Sequence, residues 1–327
     1  MSRELESLSF ELVRRIHTVL TMHLLEGKKQ SEISVLLNLS TATVNRLIKQ
    51  GRELGMVQVS INSPFQRLFD LERGLVARWS LESVLVTPAV TDNPDTTLAQ
   101  VGAAAGNLLL ETVRDGDTIA ISGGKAVRAM VEGLSADRSL DVSVVPMTGG
   151  VQGQHYTDVN HVATLLAEKL GGRAILIHAP LFAETPREKE MLLSVRSVRE
   201  VFDAARSASI ALVGIGSVAG EQSTYYEALP MAQDARLALA ASDVRGEFLG
   251  HLIDADGRVS DIEFNSRLVA LPPSAAARIP TTIGVVSGTE KIEPIRAVLA
   301  GRLVNAVVLD EETAYGVLEP GTEGRKE

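Results

Sequence analysis

Apolar residues recur at helical spacing through the first fifty positions. Phe10, Val13, Ile16, Leu20 and Leu24 share one stripe and predict a helix over 10–25, with Gly27 where helices commonly end. Ile33, Leu36 and Leu37 predict a short second helix over about Gln30–Leu37. Asn38-Leu39-Ser40 reads as a tight turn, and Ser40 suits the N-cap of a third helix, Thr41 to about Arg52. Two short helices joined by a three-residue turn, with a helix before them, form a helix-turn-helix pattern. After Gly55 the run Met56–Ile61 reads as a short strand, a candidate wing. Leu68, Leu71, Leu75 and Trp79 then share a stripe over Gln66–Trp79, a candidate linker helix and dimer contact.

From Val84 onward the period changes. Apolar, β-rich runs occur at Val84–Val86, Thr118–Ser122, Val142–Pro146, Arg173–His178, Ile210–Ile215, Thr282–Val286 and Val304–Leu309, with helical stretches between most of them. Strands that are apolar throughout and alternate with helices imply a mainly parallel sheet covered on both faces. The fold class expected is therefore α/β: an N-terminal helix-turn-helix domain over 1–61, a linker helix over 62–80, and a Rossmann-like α/β domain over 81–320.

Composition narrows the classes of function. The 327 residues are 45% hydrophobic, enough for a sizeable core. Cysteine is absent, which excludes disulfides and thiolate metal sites. No apolar run approaches the roughly 18 residues of a membrane span, and Met1–Phe10 lacks a secretion-signal pattern, so the expectation is a cytoplasmic protein with no membrane partner. The net charge of −9 would disfavour nucleic acid were it uniform. Residues 1–60, however, carry eight Lys or Arg against six Asp or Glu, so the acidity belongs to the rest of the chain.

Val44, Leu47 and Ile48 form the apolar stripe of the third helix, which leaves Thr41, Ala42, Thr43, Asn45, Arg46 and Lys49 facing outward. In a helix-turn-helix the second helix of the pair enters the major groove and its N-terminal residues meet base edges. Arg46 has the geometry for a bidentate guanine contact and Asn45 for adenine, and the threonines suit phosphates or a thymine methyl. The partner expected is double-stranded operator DNA; a polar face on an ordinary three-helix cluster is the competing reading.

Glycine-rich turns follow several of the predicted strands: Ser122-Gly123-Gly124-Lys125-Ala126, Thr148-Gly149-Gly150, Gly214-Ile215-Gly216-Ser217 and Ser287-Gly288-Thr289-Glu290-Lys291. Glycine admits close approach of backbone to ligand, and a helix start favours an anion. Ligands of open α/β sheets sit beyond the carboxyl ends of the strands, so these turns line one candidate crevice, with Lys125 and Lys291 as its cations. The first turn is not a phosphate loop of the nucleotide-binding kind, because Ile119 stands for its first glycine and Ala126 for its hydroxyl residue. The histidines, His17, His23, His155, His161, His178 and His251, show no metal-ligand spacing; His155 and His161 could touch a polar ligand. No metal, cofactor or catalytic residue is expected.

Several segments together resemble the SorC family of sugar-responsive bacterial regulators, often grouped under the DeoR name. They are Ser31–Ile33, Ser40–Leu47, Gly55–Val57, Val145–Gly150, Asn160 through Gly171, Ala179–Phe182, Gly214–Ser217, Asp254–Gly257 and Gly288–Lys291. The resemblance implies the fold of ribose-5-phosphate isomerase and glucosamine-6-phosphate deaminase, binding of a sugar, polyol or sugar phosphate without conversion, and a homodimer or homotetramer whose DNA affinity follows the effector. It implies that Ser122–Ala126 holds the phosphate end with Lys291 as second cation, that Thr148, Gly149, Gly150, Asn160 and Gly216 belong to the site, and that Glu247 stands near the ligand where the family usually has Asp. Gly123 and Ala126 replace the family's usual aromatic and hydroxyl residues, and Asn45 its usual Ser. The alternatives are a sugar-phosphate isomerase or deaminase with an appended helical domain, for which no acid–base carboxylate motif is seen, and a module that binds something other than DNA.

Overall fold

A computed structural model describes residues 9–57, 63–151, 158–218, 225–226, 233–240 and 242–319. The chain divides into two compact units, Met1–Pro64 and Phe65–Glu327.

In the first unit, α1 (Phe10–Leu20) runs into one π-helical turn (Thr21–Leu25) and is followed by α2 (Gln30–Leu36) and α3 (Thr41–Glu53). Gly27 takes φ +68°, as a chain leaving a helix requires. Seven side chains form the core: Ile16, Val19 and Leu20 from α1, Ile33 from α2, and Val44, Leu47 and Ile48 from α3. Gly51 sets how closely α1 and α3 approach, since a Cβ there would lie 2.6 Å from Leu20 Cδ1 and 2.7 Å from Ile16 Cγ2. Met56 and Val57 are not in a strand, and most of the expected wing, 58–61, lies outside the described residues.

The second unit opens with α4 (Gln66–Trp79), β1 (Ser83–Thr87), α5 (Pro94–Thr112), β2 (Thr118–Ile121), α6 (Lys125–Gly133), β3 (Ser143–Pro146), α7 (Val159–Leu170) and β4 (Arg173–Ala174). It continues with α8 (Pro186–Ser194), α9 (Arg196–Arg206), β5 (Ile210–Gly214), α10 (Gln233–Ala240), β6 (Gly246–Phe248), β7 (His251–Ile253), α11 (Glu263–Ser266) and α12 (Pro273–Ala276). It closes with β8 (Thr281–Val285), α13 (Ile292–Ala300), β9 (Ala306–Asp310) and α14 (Glu311–Leu318). Seven strands form one sheet in the order β1-β9-β8-β5-β2-β3-β4, every neighbouring pair parallel. This is the Rossmann-like layer that the apolar runs predict. Helix α4, expected as a linker, is part of this unit: Leu68 and Leu75 are buried in its core and Arg78 Nη1 donates to Leu318 O at 2.7 Å.

The expected strand Arg173–His178 is cut short. Its ladder to β3 ends at Ala174, and at Ile177 the Asn160 side chain takes over the pairing: Ile177 N donates to Asn160 Oδ1 (3.0 Å) and Asn160 Nδ2 to Ile177 O (2.8 Å). The sheet edge is thus turned aside by an amide that mimics a strand.

Tight helix packing positions the cavity described below. Asn93 caps α5, its Oδ1 accepting from Asp95 N (2.9 Å) and Thr96 N (3.1 Å), and Pro94 occupies the first turn, where a missing N–H costs nothing. Further along, Gly102 lets α5 lie against the backbone of α6, because a Cβ there would be 2.6 Å from Ala129 C and 2.7 Å from Met130 N. Backbone cannot swing aside as a side-chain tip can. Gly102→Ala is therefore expected to destabilise the second unit by about 1–3 kcal/mol, the ordinary cost of overpacking. Urea unfolding of wild type and variant measures it, and an unchanged midpoint would contradict this account of the contact.

Candidate functional site

Helix α3 keeps its apolar stripe inward: Val44, Leu47, Ile48 and Gly51 are buried. Thr41, Ala42, Asn45, Arg46 and Lys49 are exposed and Thr43 is half-buried, so the six expected DNA-contacting residues share the opposite face. Ser40 Oγ accepts from Thr43 N (3.1 Å) and lies 2.8 Å from Thr43 Oγ1, so Thr43 belongs in part to the cap. Lys49 pairs with Glu53 at 3.8 Å, both exposed, a contact that solvent screening makes weak.

In the second unit all seven main strands run the same way, so their carboxyl ends meet at one edge. A cavity of about 710 Å³ opens there. Ser122 fixes its floor by tying two strands: it accepts from Gly214 N at 3.1 Å and donates to Gly123 O at 3.1 Å. Gly124 then takes φ +109°, a conformation closed to ordinary side chains, and starts α6 at Lys125. The first turn of α6 therefore faces this cavity with the positive end of its dipole. Lys125 is exposed at the rim, and Ala126 is buried, offering a methyl group and no hydroxyl.

Glu247 arrives from the other side on the β6–β7 hairpin. Its main chain is bonded both ways to Gly216, N to O at 2.9 Å in each direction, and Gly250 N donates to its Oε1. Gly216 leaves room for the Glu247 carboxyl: a Cβ there would lie 2.1 Å from Oε2, so a side chain would displace the carboxyl from its present place. Burial pushes the Glu247 carboxyl up to about 7, against the Gly250 N–H and the charge of Lys291, both of which pull it down. The hairpin turn, Leu249-Gly250, has positive φ at both residues (+55° and +81°), matching the twist of its strands. Leucine at such a φ is uncommon and is held by its burial against the cavity.

Lys291 Nζ donates to Ser287 O at 2.9 Å and lies 3.9 Å from Glu290 Oε1. Burial lowers its pKa, opposed first by Glu290. Asp310, at 4% exposure, accepts from Thr313 N (2.9 Å), Thr313 Oγ1 (2.7 Å) and Gly288 N (3.1 Å), and so joins the end of β9 to the Ser287–Lys291 turn.

Nine of the expected effector residues line this cavity: Ser122, Gly123, Gly124, Lys125, Ala126, Thr148, Gly216, Glu247 and Lys291. Three do not. Gly149 and Gly150 thread between neighbouring segments, with a Cβ on Gly149 only 2.2 Å from Pro180 O and Gly150 N bonded to Ala179 O. Asn160 spends both ends of its amide on Ile177. Sequence reading missed the Thr91–Asp95 segment, Tyr225, and the start of α14 at Asp310 and Glu312. Asn93-Pro94 was a legible helix start; the others carried no local signal. Burial raises the Tyr225 phenol's pKa, and its ring packs edge-on against Phe182. His155 lies outside the described residues. Among those described, His161 is exposed, no cluster of His, Asp and Glu is arranged to hold a metal, and no helix is long and apolar enough to cross a membrane.

Residues 63–319 match the family described as "Putative sugar-binding domain", and residues 12–54 match sigma-70, region 4. The transcriptional regulator LsrR of Enterobacter sp. (strain 638) is 32% identical over 296 residues, 90% of this chain and 89% of the relative. LsrR of Klebsiella pneumoniae subsp. pneumoniae is 31% identical over the same share of each. Among solved structures, the full-length sorbitol operon regulator SorC of Klebsiella pneumoniae superposes with a TM-score of 0.73 at 25% identity, covering 95% of this chain and 100% of that one. A DeoR family transcriptional regulator from Listeria monocytogenes shares the fold, with a TM-score of 0.70 at 22% identity over 76% of this chain and 99% of that one.

The cavity's hairpin makes a pH test possible. Glu247 sits at about 7 in the folded chain against an ordinary 4.5, so folding takes up a proton there and stability falls as pH rises from 4.5 through 7. His251, buried in the same hairpin, is depressed to about 4 from 6.5, chiefly by burial and then by Lys189; folding releases a proton there and stability falls as pH drops from 6.5 toward 4. Each slope is at most about 1.4 kcal/mol per pH unit, and between pH 4.5 and 6.5 they oppose. Glu247→Gln is expected to unmask the histidine, leaving a variant whose stability climbs steadily over that window. Urea midpoints at half-unit pH steps measure this; a variant with the same pH dependence as wild type would disprove it.

Proposed function

The chain belongs to the SorC/DeoR-type family of sugar-responsive transcriptional regulators, and on that premise we propose that its cavity takes a sugar or polyol bearing an anionic group, which changes the affinity of α3 for operator DNA. The observation that carries the proposal is one cavity lined by both kinds of group. The N-terminus of α6 and Lys125 suit an anion, and Lys291, close enough for the charge of Lys125 to act on it, adds a second cation. Glu247 suits hydroxyl groups, its carboxyl accepting or donating according to its proton. With Ser122 committed to Gly214 and Ala126 lacking a hydroxyl, the anion end rests on backbone N–H groups and Lys125.

The relatives matched along nearly the whole chain are regulators, so the isomerase or deaminase reading is set aside. Operator DNA is the macromolecular partner, and the proposed contacts are Thr41, Ala42, Thr43, Asn45, Arg46 and Lys49. A homodimer or homotetramer is the proposed working state, since operators of this kind of motif come as paired half-sites.

Thermal-shift measurements with sugars, polyols and their phosphates test the ligand class. Sugar phosphates are expected to raise the melting temperature and Lys291→Ala to weaken their binding by about 1–3 kcal/mol, the scale of a lost charged hydrogen bond. Unchanged affinity by calorimetry would remove Lys291 from the site. For the DNA face, Arg46→Ala is expected to cost about 1–3 kcal/mol, or roughly 5- to 150-fold, in binding to an operator duplex selected from random sequence, with unaltered circular dichroism. Fluorescence anisotropy reads it, and full affinity in the variant would exclude Arg46 from base contact.

A further inference from the structure

One carboxylate outside the cavity joins the cavity's walls to the helix by which the chain enters the second unit. Glu311 is the first residue of α14, and its side chain is only 16% exposed. Both of its oxygens take the Arg67 guanidinium, Nε to Oε1 at 2.6 Å and Nη2 to Oε2 at 3.0 Å. Oε2 also accepts from Ala89 N at 3.1 Å. Such fork-to-fork pairs hold orientation as well as distance, which a lysine cannot reproduce.

The three partners have different allegiances. Ala89 lies two residues before Thr91, where the segment carrying Thr91, Asp92 and Asp95 begins to line the cavity. Glu311 itself lies between two cavity residues, Asp310 and Glu312, and Asp310 grips Gly288 on the opposite turn. Arg67 belongs to the first turn of α4, three positions after Pro64, the last residue of the first unit. The remainder of α4 is held independently of the cavity, by Glu72 accepting from Val86 N (2.9 Å), by Gly74 against Leu318 and by Arg78 on Leu318 O.

We propose that Glu311 is the positioning residue that couples the cavity to the first turn of α4, and through it to the chain leading into the DNA-binding unit. The inference rests on the reading that the cavity binds an effector. A ligand that bridges the Thr91–Asp95 segment and the Ser287–Lys291 turn pulls on Ala89 and on Asp310. Glu311 is bonded to the first and adjacent to the second, so it moves with them, and the two-point fork draws along Arg67, whose own side chain is largely exposed. A coupling of this kind exists only if ligand contacts differ between two arrangements of the segment, which makes it measurable.

The test is hydrogen exchange by mass spectrometry on the full chain, with and without ribose 5-phosphate, fructose 6-phosphate or glucitol 6-phosphate at millimolar concentration. In wild type, a bound sugar phosphate is expected to slow exchange at 122–127 and 287–291 and to alter it at 65–70 by about fivefold or more, the lower end of ordinary coupling. In Arg67→Lys and in Glu311→Gln the cavity response is expected to persist while the response at 65–70 disappears. A cavity response with no change at 65–70 in wild type, or a change there that survives in both variants, overturns the coupling and leaves the effector reading standing. Absence of any cavity response to all three compounds defeats the effector reading and the coupling with it.

Discussion

A seven-stranded parallel sheet, buried on both faces through its central strands, leaves its strand ends as the place where backbone N–H and C=O groups run out of ladder partners. Each orphan buried there would cost about as much as a lost hydrogen bond. At the carboxyl edge the chain meets this demand with side chains. Ser122 takes the N–H of Gly214, Asp310 takes those of Gly288 and Thr313, and Asn160 completes both backbone groups of Ile177. The cavity is what remains between these ties. Its walls are turns that have left the sheet yet are still bonded to it, so the space is shaped before any ligand arrives.

That origin accounts for the electrostatics. Glu247 and Lys291 sit where water is largely displaced, and burial shifts each toward its neutral form. Neither is neutralised by a close mutual bond: Lys291 is satisfied by the Ser287 carbonyl and Glu247 by the Gly250 N–H. Both therefore retain hydrogen-bonding capacity for a third party. Asp310, more deeply buried, has less to spare, because its oxygens already serve two N–H groups and a hydroxyl. The distinction between a carboxylate that builds the site and one that serves it follows from hydrogen-bond counting, not from position along the strand.

The small first unit depends on a different economy. Seven core side chains are few for three helices, and Gly51 compensates by letting the Ile16 and Leu20 side chains of α1 pack directly on the backbone of α3. With the apolar stripe of α3 fully used inward, its opposite face is free to be polar from Thr41 to Lys49 without loss of stability. Sites that bind DNA through one helix face need this division, since the groove is read by residues that contribute nothing to the core.

The periodicity of apolar residues by itself determined the two units' characters, the three helices of the first and the parallel layer of the second, because burial on one stripe or on both faces imposes a period that composition cannot hide. The glycine turns were legible too, since a residue that must take positive φ or admit a close backbone neighbour, as Gly124 and Gly149 do, has few substitutes. What tertiary structure alone decided is which residues those turns meet. The β6–β7 strands are three residues each, too short for a period, yet their hairpin delivers Glu247, which family resemblance alone had singled out, and the turn residue Leu249. Asn160 looked like a ligand contact and became a splice in the sheet edge. Asp310, Glu311 and Glu312 are consecutive acids that a sequence cannot tell apart. Only the helix start they share, turning each side chain in a different direction, separates a backbone tie, a clamp on α4 and a cavity wall.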